Sequence, residues 1–178
     1  KARRSPRMEG SDWVKAVTCG EPYEWGGVEA GRQKARGTGL GLWEWGRGQA
    51  IPPAVEKKYR VAAMDFGMKH NIIRHLASRG CQVLVVPAQT RAEEILALKP
   101  HGIFLSNGPG DPAALPYIVE TVRALLGKRP IFGICLGHQL LGLAMGGKTY
   151  KLKFGHRGAN QPVKNLTNGK VEITVQNH

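Results

Sequence analysis

The 178-residue sequence contains only three cysteines, Cys19, Cys81 and Cys135, and no two of them form a CxxC pair. An odd, widely spaced set argues against a disulfide framework and a cysteine-based zinc site, and it favours a reducing, cytoplasmic setting. No apolar run approaches the length of a membrane span. The basic opening KARRSPRMEG leads into neither an apolar stretch nor a small-residue cleavage site, so no signal peptide is predicted.

Acidic and aromatic residues are also scarce. There are 13 Asp and Glu against 26 Lys and Arg, and aromatic residues make up 7%. A net charge of +13 raises nucleic acid as a partner. The basic residues are spread along the whole chain, however, and no basic run is interleaved with aromatic residues that could stack on bases. We therefore predict a solvated basic surface, suited to an acidic protein partner, and neither a nucleic-acid nor a membrane partner. A nucleic-acid binder is an alternative that rests on charge alone.

Residues 1–58 have an irregular pattern, and the stretch from Gly26 to Gly48 is dense in glycine, which is typical of loops or a linker. All four tryptophans lie in this part of the chain, which is unusual for a free linker. They are Trp13, Trp25, Trp43 and Trp45. We expect part of this segment to pack against other structure.

From Tyr59 onward, apolar runs alternate with helical patterns. The predicted strands are YRVAAMDF, CQVLVVP, HGIFLS and RPIFGI. The predicted helices are MKHNIIRHLASRG, RAEEILALK, AALPYIVETVRALLG and LGHQLLGLAMGG. This alternation predicts an α/β fold, a parallel sheet with helices on both faces. Asp111 is the expected N-cap of the third helix, with Pro112 at its first position. Beyond Gly147, short half-exposed strands are predicted in KTYKLKF, QPVKNL and KVEITVQ.

Cys135 falls just beyond the carboxyl end of the fourth predicted strand, where doubly wound sheets place reactive groups. Gly133 and Gly137 flank it in a G-x-C-x-G pattern, the thiol counterpart of the G-x-S-x-G nucleophile elbow. The N-terminus of the following helix favours thiolate over thiol. Buried cysteines are common, so a core thiol is the alternative. The flanking glycines and the strand-end position favour a nucleophile.

His138 is three residues beyond the cysteine, in the same predicted helix. A side chain in the first helical turn is poorly placed to exchange a proton with a group at that helix's entrance, so His138 is predicted to be structural. Gln139 is a candidate amide partner for a substrate, with a simply packed glutamine as the alternative.

The loop SNGPGDP follows the third predicted strand, next to the cysteine in a simple winding. Gly108 and Gly110 would let the backbone approach a ligand and offer it N–H groups, as a tetrahedral oxyanion requires. Alone, the loop is equally compatible with a plain turn. Together with the cysteine elbow, it becomes informative, because oxyanion donors would lie beside a nucleophile.

These residues resemble a known family. GICLGHQLL is similar to the nucleophile motif of the class I glutamine amidotransferases, and LSNGPGDP to their oxyanion motif. Further stretches narrow the resemblance to the small-subunit family of carbamoyl phosphate synthetase; they are MEGSDWVKAVTC with EPYEW, DFGMKHNIIRHLASRGCQV, KFGHRGANQPVKN and ITVQNH. The resemblance implies a flavodoxin-like, doubly wound amidotransferase domain, incomplete, with a short antiparallel β extension. It divides the chain into residues 1–58, the tail of an amino-terminal domain with a linker, and residues 59–178, the amidotransferase domain.

The resemblance also implies roles. Cys135 would attack glutamine to form a γ-glutamyl thioester and release ammonia, while the backbone at Gly108, Gly110 and Leu136 binds substrate and oxyanion. Gln139 and Asn177 would hold the glutamine. The ammonia would pass to a large synthetase subunit, where ATP, magnesium and bicarbonate are expected, for arginine and pyrimidine synthesis. No cofactor or metal is expected in this chain.

In the family, the cysteine's base is a histidine oriented by a glutamate in a GHPE-like motif beyond the QNH stretch. His156 and His178 belong to other motifs, so neither is predicted to be the base, and the printed chain alone is expected to be inactive. Two alternatives stay open, a non-catalytic interaction subunit of the same fold and another class I amidotransferase subunit.

Overall fold

The computed structural model describes residues 7–25 and 56–177. The glycine-rich stretch Gly26–Gly48, with Trp43 and Trp45, lies outside the described residues, and so does His178. Within the described residues, no helix combines the length and apolar character needed to cross a membrane.

The core is a five-stranded sheet. Its strands are β1 (Tyr23–Glu24), β2 (Tyr59–Asp65), β3 (Cys81–Pro87), β4 (Gly102–Leu105) and β5 (Ile131–Gly133). They lie in the order β1-β3-β2-β4-β5, and the last four are parallel. The central strands are buried on both sides, which explains their continuous apolar runs. Because the winding reverses direction between β2 and β4, this is the switch point where such sheets bind ligands.

Helices cover both faces of the sheet, as predicted. The helices are α1 (Val14–Val17), α2 (His70–Ala77), α3 (Ala92–Ala97), α4 (Pro116–Leu125) and α5 (Leu136–Ala144). On one face, Ile73 of α2 packs against Ala63, Val83 and Phe104. On the other face, buried residues of α1, α3, α4 and α5 form a larger cluster with residues of the strands. The doubly wound α/β fold is therefore confirmed.

The segment at residues 7–25 packs on this domain. Tyr23 and Glu24 pair antiparallel with β3, an addition to the parallel sheet that the irregular pattern of residues 1–58 does not indicate. Val14 is fully buried in the larger cluster. The division into residues 1–58 and 59–178 stays a prediction.

Two sequence-based expectations were wrong. Asp111 caps a short 3₁₀ helix, Pro112–Ala114, by accepting the N–H of Ala113 at 2.9 Å, and α4 begins only at Pro116. A second proline four residues after the first restarts the helix, since proline is favoured at the first turn. KTYKLKF forms no strand; its apolar residues Tyr150 and Phe154 are each 83% exposed, so no packing surface holds it extended.

The antiparallel extension is present as a hairpin of β6 (Arg157–Lys164) and β7 (Val171–Asn177). It forms its own two-stranded sheet. Both strands are largely exposed, in agreement with the half-exposed pattern of the sequence.

Candidate active site

Cys135 lies between β5 and α5 in a backbone conformation that L-amino acids rarely adopt. Its φ is 53° and its ψ is −112°. A non-glycine residue in this region costs of order 1–3 kcal/mol, and such strain concentrates at functional sites. A sharp strand-to-helix turn of this kind raises a nucleophile above the sheet edge. The predicted elbow is therefore present, and the thiol is half-buried.

The glycines on either side of the cysteine are sterically required. A Cβ atom on Gly133 would lie 2.6 Å from the carbonyl carbon of Gly137. A Cβ atom on Gly137 would lie 2.2 Å from the carbonyl oxygen of Leu105. The turn brings β5, α5 and β4 so close together that only glycine fits at these two positions.

The three cysteines have different environments. Burial, followed by the charge of Asp65 and a hydrogen bond to it, raises the pKa of Cys19 from 9.0 to about 12. Burial also raises the pKa of Cys81. Cys135 differs from both in its position, because it directly precedes the nine-residue helix α5.

The glycine loop, residues 106–111, lies beside the elbow. The N–H of Ile134 donates to Leu105 O at 3.1 Å, and the N–H of Gly137 donates to Ser106 O at 3.0 Å. These bonds join the end of β4 and the start of the glycine loop to both sides of Cys135. The G-x-C-x-G and SNGPGDP motifs therefore meet at one edge of the sheet.

Three backbone amides at this edge are available to a ligand. The N–H groups of Gly108, Gly110 and Leu136 have no hydrogen-bond acceptor within residues 7–25 and 56–177. A Cβ on Gly108 would lie 2.1 Å from Phe66 O, and Gly110 has a φ of 102°, so both positions require glycine. Unpaired amides next to a raised thiol are what stabilisation of an oxyanion needs.

The other predicted residues are placed as follows. Gln139 is half-buried in the first turn of α5, and its backbone N–H donates to Cys135 O at 3.1 Å. His138 is exposed, and no hydrogen bond joins its ring to the thiol in the part of the chain that the structure describes. Asn177 ends β7, exposed, with its side-chain oxygen 3.3 Å from Nη1 of Arg157. Its contact with glutamine stays a prediction.

Three residues at the same edge were missed by the sequence analysis: Asp65, Ser106 and Asn107. Asp65 and Ser106 are buried polar residues, with exposures of 8% and 0%. Their signal in the sequence is that each comes at or directly after the end of an apolar strand, in MDFG and LSNG. Among the residues described, no cluster of three or more His, Cys, Asp or Glu is arranged to hold a metal ion.

Comparison with known proteins assigns the chain to a class. The family model of class-I glutamine amidotransferases matches residues 62–178, well over half of the chain. The chain belongs to this family.

More specific similarity comes from curated relatives, all described as a carbamoyl phosphate synthase small chain. That of Syntrophotalea carbinolica is 54% identical over 178 residues, which are 100% of this chain and 44% of the relative. That of Neisseria gonorrhoeae is 54% identical over 172 residues, 96% of this chain and 42% of the relative. The chloroplastic protein of Oryza sativa subsp. japonica is 50% identical over 172 residues, 97% of this chain and 35% of the relative. The chain thus spans less than half the length of these relatives.

Among solved structures, a GMP synthase component from Thermoplasma acidophilum overlaps with a TM-score of 0.49 and 25% identity. The match covers 56% of this chain and 51% of that chain.

Proposed function

We propose that this chain is the glutamine-hydrolysing part of a carbamoyl phosphate synthase small chain. The observation that carries the proposal is the strained Cys135 at the head of α5, with the unpaired amides of the glycine loop beside it. Membership of the amidotransferase family and 54% identity to a carbamoyl phosphate synthase small chain support glutamine as the substrate.

In the proposed reaction, the Cys135 thiolate attacks the carboxamide carbon of glutamine. A C–S bond forms, and the electron pair of the C=O bond moves to oxygen to give a tetrahedral oxyanion. The intermediate collapses to a γ-glutamyl thioester as the C–N bond breaks, and the leaving nitrogen takes up a proton to leave as ammonia. Water then hydrolyses the thioester to glutamate and returns the thiol.

The amides of Gly108 and Leu136 are assigned to the oxyanion, with that of Gly110 as a further donor to the substrate. Donors fixed before the reaction need no reorganisation when charge develops, and loss of one oxyanion donor typically slows such enzymes about 10²- to 10³-fold. Gln139 and Asn177 are assigned to holding glutamine. For Asn177, this requires the end of β7 to lie close to the elbow when glutamine is bound.

The proton transfers are assigned to a histidine–glutamate pair in a GHPE-like motif that follows QNH in the family this sequence resembles. His138 and His156 are not assigned to them. The assembled enzyme would pass ammonia to a large subunit that uses ATP, magnesium and bicarbonate, for arginine and pyrimidine synthesis. This chain itself would need no cofactor, and a cytoplasmic location is proposed.

The test uses the complete small chain assembled with its large subunit. In this complex, a thiol-directed glutamine analogue should label Cys135. Cys135→Ser should abolish glutamine-dependent carbamoyl phosphate formation and leave ammonia-dependent formation intact, because only the attack on glutamine needs the thiol. Glutamine hydrolysis that survives in the serine variant would show that the nucleophile assignment is wrong.

The same experiment separates the alternatives. A wild-type protein that binds its partner but never hydrolyses glutamine would be a non-catalytic subunit of this fold. Glutamine hydrolysis that supports amination of another acceptor would indicate a different class I amidotransferase.

A further inference from the structure

The β2–α2 loop, residues 66–69, lies directly against the glycine loop at the switch point of the sheet. Ser106, which is fully buried, makes the first contact between them. Its hydroxyl oxygen accepts the N–H of Phe66 at 2.8 Å and donates to Asn107 O at 2.8 Å. One hydroxyl thus joins the ends of two neighbouring strands.

The side-chain amide of Asn107 makes the second contact. Its Oδ1 accepts the N–H of Lys69 at 3.0 Å, and its Nδ2 donates to the carbonyl oxygen of Gly67 at 3.2 Å. Both polar atoms of the side chain therefore bind the backbone of the β2–α2 loop. An amide is needed here, because one atom must accept and the other must donate.

Asp65 fixes the β2–α2 loop itself. Its Oδ1 accepts the N–H groups of Gly67 and Met68 at 3.0 and 2.9 Å, and its Oδ2 accepts the N–H of Cys19 at 2.8 Å. The carboxylate is only 8% exposed, and hydrogen bonds from backbone N–H groups to an ionised carboxylate are among the strong ones. The β2–α2 loop is thus also held by the segment at residues 7–25.

The position of Gly108 depends on this contact. Its Cα approaches Phe66 so closely that a Cβ would lie 2.1 Å from Phe66 O. The next residue, Pro109, lies near Gly67, where a Cβ would be 3.1 Å from Pro109 Cδ. A displacement of the β2–α2 loop would therefore displace the amide of Gly108.

We propose that Asp65, Ser106 and Asn107 are positioning residues that hold the amides of the glycine loop where the oxyanion forms. This inference rests on the proposed function and deepens it. Within residues 7–25 and 56–177, none of the three side chains forms a hydrogen bond with Cys135; each acts through the backbone of the β2–α2 loop or the glycine loop.

The sharpest test is Asn107→Asp in the complete small chain assembled with its large subunit. The variant keeps the shape and the acceptor for Lys69, but above neutral pH it sets a carboxylate oxygen against Gly67 O. We expect kcat for glutamine hydrolysis to fall about 10- to 100-fold, the range expected for a misplaced catalytic group, with the KM for glutamine changed less than about threefold. Ammonia-dependent activity should be unchanged, and alkylation of Cys135 by iodoacetamide should keep its wild-type rate.

The pH dependence of the Asn107→Asp variant is a readout that a merely structural role of Asn107 would not change. A carboxylate facing a carbonyl oxygen has a raised pKa, and once protonated the introduced carboxyl group can donate to Gly67 O as the amide does. Activity of Asn107→Asp relative to wild type should therefore rise as the pH falls from about 8 toward 5. Asn107→Ala, which has no donor at any pH, should show no such recovery.

Asn168→Asp is the matched control. Asn168 is exposed in the hairpin, and its Oδ1 accepts the N–H of Lys170 at 2.9 Å, so the same type of side chain is changed outside the elbow and the glycine loop. Its kinetics should match wild type. A second variant, Asp65→Asn, places an NH₂ group against backbone N–H groups and should also lower kcat more than it alters KM.

The outcomes separate the two proposals. Wild-type protein that does not hydrolyse glutamine overturns the proposed function and the positioning role together. If the wild-type protein hydrolyses glutamine and Asn107→Asp keeps a normal kcat, the positioning role alone is overturned. The same holds if the kcat of Asn107→Asp falls and does not recover at acid pH.

Discussion

The carbonyl oxygen of Ser106 accepts a hydrogen bond from the N–H of Gly137 at 3.0 Å. This bond joins the end of β4 to the first turn of α5. It therefore fixes the position of the glycine loop relative to Cys135. The contact is possible because Gly137 has no side chain, and its backbone can press against that of Leu105.

We predict that Gly137→Ala disrupts this contact between β4 and α5. The new Cβ would lie 2.2 Å from Leu105 O, and backbone atoms cannot move aside as a flexible side chain can. We expect a loss of about 2–4 kcal/mol in the free energy of unfolding, at the upper end for overpacked cores, together with loss of glutamine hydrolysis. Urea unfolding and a glutaminase assay measure the two effects.

Gly142→Ala is the matched control, in the same helix. A Cβ there meets nothing within 4 Å, so the substitution should stabilise the protein by about 0.5–1 kcal/mol through helix propensity. Equal effects of the two substitutions would contradict the steric account of the elbow.

The raised pKa of Cys19 predicts that the folded protein loses stability at alkaline pH. The folded protein raises its pKa from 9.0 to about 12, through burial first and Asp65 second, so the folded state favours the protonated thiol. The stabilisation is complete below pH 9 and is lost as the pH rises from about 9 toward 12, because the unfolded chain releases this proton first. The melting temperature should fall across this window, and it should fall less in Cys19→Ala.

The pKa of Tyr23 is also raised, to about 12, and burial is again the largest cause. The Cys19→Ala variant should therefore keep the part of the decline in melting temperature that comes from Tyr23. The Tyr23→Phe variant should lose that part. Parallel melting curves for wild type and both variants between about pH 8 and 11 would show that neither group is linked to folding.

Asp111 connects the glycine loop to the start of the described chain. Its Oδ1 accepts the N–H of Ala113 at 2.9 Å, and its Oδ2 accepts the N–H of Gly10 at 3.0 Å. Asp111→Ala removes both bonds and should cost about 1–2 kcal/mol, the size of a lost cap. Trypsin should also cut after Arg7 more rapidly.

Asp111→Asn tests whether both oxygens matter. It retains one acceptor, so the capping of Ala113 can persist while the bond to Gly10 is lost. We expect a smaller loss of stability but the same gain in cleavage after Arg7. Unchanged cleavage in both variants would mean that Asp111 does not hold the segment at residues 7–25.

The alternation of apolar runs and helical patterns was sufficient to predict four parallel strands and the helices between them, because each pattern reflects burial of one element. The start of α4 could not be read in this way. Pro112 and Pro116 both suit a first helical turn, and the structure places the buried Leu115 between the 3₁₀ helix and α4. KTYKLKF has strand-forming residues, but strands need a neighbour to bond with.

At the site, G-x-C-x-G and SNGPG indicated the elbow and the loop. Glycines at fixed spacing indicate a sharp turn or a close approach of the backbone, because other residues do not fit there. For Asp65, Ser106 and Asn107, the local sequence shows only that polar residues stand at the ends of apolar strands, and not which groups they bind. Their partners are backbone groups up to 46 residues away, which only the packing of strands side by side brings within hydrogen-bond distance.

The sequence by itself determined that Cys135 follows an apolar strand and is flanked by glycines, and hence that a strained elbow can form there. Only the tertiary structure decided which groups surround that elbow. The order β3-β2-β4-β5 places the ends of β2 and β4 side by side, and the identity of neighbours in a sheet is a property of strand order that local sequence does not contain.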